Sequence, residues 1–210
     1  MEMREYNTRK DGFLVNANSY IKRFIRRTLD IFTFFTVLVR HPRITGAIFP
    51  SSNRLAREMV SHVFLKEGGL VVELGSGTGV VTEALIKAGI HPDNIIAIEY
   101  SASLAKKLRK RFPTIHVIEG DAADLELLLG DKKSQVTTVI SGLPLRSLPK
   151  STSEKILHQI SSILPSGGRY IQFTYYFRQT ILFSPTRIKP KYSKVIWRNL
   201  PPARVDVFEV

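Results

Sequence analysis

Leu70-Val71-Val72-Glu73-Leu74-Gly75-Ser76-Gly77-Thr78-Gly79-Val80-Val81 reads as a strand, a tight turn and the start of a helix. The apolar run is short and rich in β-branched residues, glycines follow at alternate positions, and Val80 to Ala88 have helical spacing. Without Cβ atoms, Gly75, Gly77 and Gly79 let the turn take φ > 0 and let a ligand lie against the backbone, while the next helix offers free N–H groups. A dinucleotide fold would set a pyrophosphate at such a turn. Glu73 argues against that ligand, since a carboxylate repels a pyrophosphate and favours a cationic amino-acid moiety. A ligand other than a dinucleotide is expected.

Two more strand ends carry acids. The run Ile95-Ile96-Ala97-Ile98-Glu99-Tyr100-Ser101 reads as a buried parallel strand whose acid lies about twenty residues on, where a ribose diol needs a carboxylate acceptor. Val117-Ile118-Glu119-Gly120-Asp121-Ala122 reads as a third. With these in place the sequence resembles the class I S-adenosylmethionine-dependent methyltransferases, whose first motif, E/D-x-G-x-G-x-G, is matched by Glu73, Gly75, Gly77 and Gly79. The resemblance implies an α/β fold: a Rossmann-like sheet with helices on both faces and a C-terminal antiparallel β-hairpin. It also implies S-adenosylmethionine as cofactor, held by Glu73, Gly75, Ser76, Gly77, Thr78 and Gly79 at the first strand end, by Glu99, Tyr100 and Ser101 at the second, and by Gly120, Asp121 and Ala122 at the third, where the family contacts adenine. Ser141 is a further expected contact. Ser51 or Ser52, before the first strand, is placed to reach the methionine carboxylate; capping of the following helix, Arg54 to Leu65, explains either serine equally well.

Composition bounds the alternatives. The 210 residues suit one domain with an appendage, divided here as 1–43 and 44–210. The absence of cysteine excludes disulfides and thiolate chemistry, and His41, His62, His91, His116 and His158 are scattered, so no metal site is expected. The charged N-terminus (Glu2, Arg4, Glu5, Arg9, Lys10) lacks the apolar core of a signal peptide. The formal charge of +13 is unevenly spread. From Glu58 to Gly168 there are 12 Lys/Arg and 12 Asp/Glu, whereas residues 1–57 carry 11 against 4 and residues 169–210 carry 8 against 2. Basic ends around a neutral middle suggest an anionic partner, nucleic acid or a lipid surface.

Asn18 or Ser19 is expected to cap a helix running to about Arg40, since Pro42 disfavours continuation. Tyr20, Ile21, Phe24, Ile25, Ile31, Phe32, Phe35, Leu38 and Val39 share one side of it, and Lys22, Arg23, Arg26, Arg27 and Asp30 the other. Its longest charge-free run, Ile31 to Val39, falls far short of the ~20 apolar residues of a span, so it can lie on a bilayer but not cross one. Membrane contact through Lys22, Arg23, Phe24, Arg26, Arg27, Phe32 and Phe35 is expected, with packing on the domain as the alternative. The basic helix Ser103 to Phe112 is read as a solvated face. Val136 to Ile140 is expected as a fourth strand, Glu154 to Leu164 as a helix, Arg169 to Thr174 as a fifth strand, and Tyr192 to Asn199 with Ala203 to Val210 as the hairpin.

The loop Ser141-Gly142-Leu143-Pro144-Leu145 leaves the carboxyl end of the fourth strand, where open α/β sheets bind ligands. Enzymes that methylate an adenine amino group carry an Asn/Asp-Pro-Pro-Tyr type of loop; here Gly142 stands in place of the Asn and Leu145 in place of the Tyr. The loop resembles instead that of the bacterial phospholipid N-methyltransferases, relatives of the ribosomal adenine dimethylases. The likeness recurs in Thr45-Gly46-Ala47-Ile48-Phe49-Pro50-Ser51-Ser52, Gln172-Phe173-Thr174-Tyr175 and Arg198-Asn199-Leu200-Pro201-Pro202-Ala203, and spans roughly Arg40 to the end. It implies stepwise N-methylation of phosphatidylethanolamine toward phosphatidylcholine. An anionic membrane and the lipid itself are the partners, on the inner, cytoplasmic face, with no nucleic acid or protein partner expected. Gly142, Leu143, Pro144, Leu145 and Tyr176 are the expected acceptor contacts, and desolvation there would lower the ammonium pKa. Tyr175 or Tyr176 could hold the cationic product by ring contact. Ser141 and Tyr175 are the candidate bases, a core role for the tyrosines remaining as the alternative. An RNA or small-molecule methyltransferase, or a non-catalytic membrane-binding protein keeping the fold, are the competing readings.

Overall fold

The computed structural model describes residues 53–175, 187–199 and 202–210. The expected N-terminal helix and domain (1–43), Ser51, Ser52 and Tyr176 lie outside the described residues. In chain order the elements are α1 (Asn53–Val60), β1 (Leu70–Leu74), α2 (Val80–Lys87), β2 (Ile95–Glu99), α3 (Ala102–Arg111), β3 (His116–Glu119), α4 (Leu125–Leu129), β4 (Val136–Ser141), α5 (Lys150–Ile163), β5 (Arg169–Thr174), β6 (Lys189–Ile196) and β7 (Ala203–Glu209).

The strands form one seven-stranded sheet in the order β3-β2-β1-β4-β5-β7-β6. β1 to β5 pair in parallel, and β7 enters antiparallel between β5 and β6. β1, β2 and β4 are buried at every position, as expected of central strands covered on both faces. One face carries Val71, Ile95, Ile140, Ile171 and Val205 against α1 and α2; the other carries Val72, Leu74, Ile96, Ile98, Val139 and Tyr170 against α4 and α5. The strand order reverses between β1 and β4, and a crevice at the carboxyl ends of the strands follows from that reversal.

The boundaries differ from expectation where side chains redirect the chain. α1 ends at Val60, not Leu65, because Phe64 leaves the helix to bind β4: its N–H donates to Thr138 Oγ1 (3.0 Å), and its carbonyl accepts from the Thr137 and Thr138 hydroxyls (2.9 and 2.6 Å). α5 begins at Lys150, directly after Pro149, four residues before the expected start. β6 runs from Lys189 to Ile196 rather than from Tyr192 to Asn199, since Asn199 N–H donates to Ile196 O (3.1 Å) and closes a turn. The short helix α4 was not expected from the sequence. Among the described residues no helix is long and apolar enough to cross a membrane.

Candidate active site

The glycine turn is pinned to β2 from below, with Gly75 and Ser76 N–H groups donating to Ile98 O (2.9 and 3.4 Å). Gly75 has φ +70, a conformation that side chains rarely adopt, and a Cβ there would stand 2.6 Å from Leu143 Cδ2, so glycine lets the turn lie against the loop that follows β4. Gly77, at φ +55, is the open point of the cradle: a Cβ there would meet nothing within 4 Å. Ser76 Oγ is buried and makes no hydrogen bond of good geometry, although it lies near enough to Glu73 to favour the carboxylate.

Two acids flank this turn, and their surroundings differ. Glu73 is buried at the end of β1, where it accepts from Thr82 Oγ1 (2.5 Å) in the first turn of α2. Burial pushes its carboxyl up to about 8; the hydroxyl bond offsets only part of that, and the charge of Glu99 adds to it. Glu99 instead accepts two backbone N–H groups, Gly77 (2.8 Å) on Oε2 and Ser101 (2.9 Å) on Oε1. Each carboxylate oxygen keeps a lone pair for a further donor. Next to it Tyr100 is 75% exposed, and Ser101 Oγ lies 3.0 Å from Ser103 Oγ. At the third strand end Gly120 N–H donates to Glu99 O (3.1 Å), Asp121 Oδ1 accepts from Ala123 N–H (2.8 Å), and Ala122 is buried. The structure thus brings the three expected strand ends together.

Across the crevice, Gly142 N–H donates to Leu74 O (2.8 Å), and a Cβ on Gly142 would stand 2.9 Å from Gly75 O, a backbone atom that cannot swing away. Ser141 is fully buried, and its hydroxyl accepts from Leu143 N–H (3.2 Å), so it anchors the loop. Leu143 and Pro144 line the loop half-buried, whereas Leu145, expected to face the acceptor, turns into the core and is only 5% exposed. Ser153 Oγ, donating to Leu145 O (2.5 Å), holds that tuck. Tyr175 is half-buried edge-on to Phe173, with its hydroxyl hydrogen-bonded to the Asn199 side chain. Burial raises its pKa above the ordinary phenol value, so at neutral pH it is not a phenolate.

Three contributors had no role assigned from the sequence. Thr82 is a buried threonine of α2 that faces β1, and its signal was only its place one turn beyond the glycines. Gln172 receives the Tyr170 hydroxyl on Oε1 (2.6 Å) and donates through Nε2 to Leu143 O (2.9 Å), bridging β5 to the acceptor loop. Asn199 meets Tyr175 across the sheet edge. Behind them lies a buried ion pair, Arg204 Nη2 to Asp206 Oδ2 (2.8 Å), with Ser193 Oγ donating to Asp206 Oδ1 (2.6 Å). Among the described residues no group of His, Cys, Asp and Glu could hold a metal ion.

An open glycine cradle, an unpaired buried hydroxyl, an acid beside it and a second acid with spare lone pairs suit a zwitterionic nucleoside. Residues 71–168 match the family described as a methyltransferase domain. Ornithine lipid N-methyltransferase of Singulisphaera acidiphila is 31% identical over 191 residues, covering 83% of this chain and 93% of that protein. The chain belongs to the family of that lipid N-methyltransferase, among the class I methyltransferases. Ribosomal RNA small subunit methyltransferase A of Chlorobaculum parvum is a more partial relative of this methyltransferase, 32% identical over 117 residues, 55% of this chain and 39% of that protein. Among solved structures, TrmN from Thermus thermophilus superposes at TM-score 0.63 with 18% identity over 80% of this chain and 50% of that one. Geranyl diphosphate methyltransferase in complex with SAM does so at 0.57, with 12% identity over 75% and 84%. Both show the fold, and the methyltransferase uses S-adenosylmethionine as its cofactor.

Proposed function

We propose that this methyltransferase N-methylates the amine of phosphatidylethanolamine, stepwise toward phosphatidylcholine, at an anionic membrane surface. The observation that carries the reading is Gly142: packed on Gly75 O, it leaves no room for a side chain that could accept from an adenine amino group. Leu145, in the position of the base-stacking aromatic, is in the core. A second reading, the amine of an ornithine lipid, is favoured by the name of the Singulisphaera relative.

When bound, S-adenosylmethionine supplies an electrophilic methyl group on a sulfonium. Glu73 is assigned to its ammonium, Glu99 to its ribose, and Tyr100, Asp121 and Ala122 to its adenine. The chain's own work on the acceptor is positioning, which lowers a barrier by removing freedom before reaction. Ser141 and Gln172 fix the backbone of Leu143, and Leu143 with Pro144 present an apolar surface that disfavours the charged ammonium and favours the nucleophilic amine. Tyr175, neutral and bonded to Asn199, offers a ring rather than a base. Residues 18–40 are assigned to attachment, through Lys22, Arg23, Arg26 and Arg27 at the surface and Phe24, Phe32 and Phe35 at the acyl boundary.

Purified protein with labelled S-adenosylmethionine is offered, in parallel, anionic vesicles containing phosphatidylethanolamine, the same vesicles with an ornithine lipid, and total RNA. Label in the phosphatidylethanolamine product is the expected result. Label in ornithine lipid alone selects the second reading, and label in RNA with none in lipid overturns both.

A further inference from the structure

The β6–β7 hairpin ends in a turn that serves neither the cofactor cradle nor the acceptor loop. The bond from Asn199 N–H to Ile196 O closes four residues of which the central two, Trp197 and Arg198, are exposed, Trp197 by 72%, while Ile196 and Asn199 are buried. Trp197 is the chain's one tryptophan. An indole so presented suits the water–bilayer boundary, where the ring is apolar and the N–H stays wet.

The register places this turn at the carboxyl edge of the sheet. Leu74, Ser141, Gln172, Asp206 and Ser193 lie level across β1, β4, β5, β7 and β6. β6 runs parallel to β5 and continues to Ile196, opposite Ala203, three positions beyond that level or roughly 10 Å at strand rise. The turn therefore projects past the carboxyl edge, where the crevice opens, and the Tyr175–Asn199 hydrogen bond ties it to the end of β5. Its charge is also one-signed. From Arg169 to Val205 the sequence has eight Lys/Arg and no Asp/Glu. Lys191, Lys194 and Arg204 are paired with Glu209, Glu58 and Asp206, whereas Arg198 has no ion pair among the described residues.

We propose that the Trp197–Arg198 turn is a bilayer contact, with the indole at the headgroup boundary and the guanidinium on lipid phosphate, which turns the acceptor side of the crevice toward the membrane. This contact is distinct from residues 18–40, and it rests on the lipid-substrate reading given above.

The single tryptophan makes the test direct. Emission of the full chain is recorded with vesicles of phosphatidylethanolamine and phosphatidylglycerol, with and without lipids spin-labelled near the headgroup. A blue shift and quenching by the label are expected. Trp197→Ala should weaken sedimentation with the vesicles by about tenfold and raise KM for vesicular lipid, with far-ultraviolet circular dichroism and S-adenosylmethionine affinity unchanged. Arg198→Glu should weaken sedimentation less, and the loss should shrink in high salt. Emission that neither shifts nor quenches when vesicles are added overturns the proposal, whether or not the protein pellets. Methyl transfer scored on the same vesicles separates the two ideas: label in lipid with silent tryptophan removes the turn alone, and a shifted, quenched tryptophan with no label in lipid removes the substrate reading alone.

Discussion

The two sides of the crevice between β1 and β4 hold their loops by different chemistry. On the β1–β3 side carboxylates do the fastening: Glu99 takes the N–H groups of Gly77 and Ser101, and Asp121 takes that of Ala123. On the β4–β7 side neutral groups do it, the Ser141 hydroxyl on Leu143 N–H and the Gln172 amide on Leu143 O. The charged pair on that side, Arg204 and Asp206, is satisfied within β7 and by Ser193. A charged scaffold can also bind a charged ligand, whereas an amide scaffold mainly sets shape. Substitutions on the first side should therefore change cofactor affinity, and those on the second should change turnover.

The sharpest way to break this contrast is Glu99→Ala. It removes two charge-assisted bonds to backbone as well as the proposed ribose acceptor, each worth roughly 1.5–3 kcal/mol, so S-adenosylmethionine affinity should fall at least about a hundredfold. Glu99→Gln, which keeps one acceptor oxygen, should fall less. Calorimetry showing unchanged affinity in Glu99→Ala would remove that side's assignment.

Glu73 should give the next effect, and it is read in pH. Without ligand, burial holds its carboxyl protonated up to about pH 8, whereas an ammonium placed beside it favours the carboxylate. Binding then releases a proton below that pH, so affinity should rise from about pH 6 towards about pH 8, by up to about tenfold per unit, and fall again above it as the ligand's own ammonium loses its proton. Unliganded stability runs the other way. In the unfolded chain this group ionises from its ordinary value of 4.5, so its burial costs progressively more stability from there to about 8. Calorimetry in buffers of different ionisation enthalpy measures the proton, and Glu73→Gln should abolish both slopes.

Gln172→Leu probes the other side. Losing the bonds to Leu143 O and the Tyr170 hydroxyl should cut kcat by about tenfold while leaving S-adenosylmethionine affinity unchanged, because positioning is lost and the cradle is not. A drop in cofactor affinity equal to the drop in kcat would erase the distinction between the two sides.

The same division explains what could be read from the sequence. β1, β2 and the glycine turn were legible because their signal is local: apolar runs, spaced glycines and an acid at each strand end. β5 matched residue for residue for the same reason. Leu145 and the ends of α1 and β6 were misread because distant residues decide them. Ser153 tucks Leu145, and Phe64 leaves its helix to bind threonines on β4, in partnerships with no short-range pattern. Gln172 was visible as a letter in a family-like segment, but its function depends on Leu143 being folded against it.

Tyr175 offers the smallest effect and the finest distinction. As a general base it would have to give up its proton near neutral pH, and its removal would cost on the order of 10²–10⁴ in kcat. Its surroundings oppose that. Burial raises its pKa above that of a free phenol, and although the hydrogen bond to Asn199 lowers it, the net direction is up. A neutral ring packed edge-on to Phe173 at 5.6 Å can still flank a cationic methylated amine, a contact of about 0.5–2 kcal/mol that Phe preserves. Tyr175→Phe should therefore lower kcat by less than about fivefold and leave its pH profile unmoved, while Tyr175→Leu, which removes the ring, should lose more in kcat. A hundredfold fall in Tyr175→Phe, with the alkaline rise in kcat abolished, would instead make the hydroxyl the proton acceptor and place an ionising group on the side of the crevice built from neutral ones.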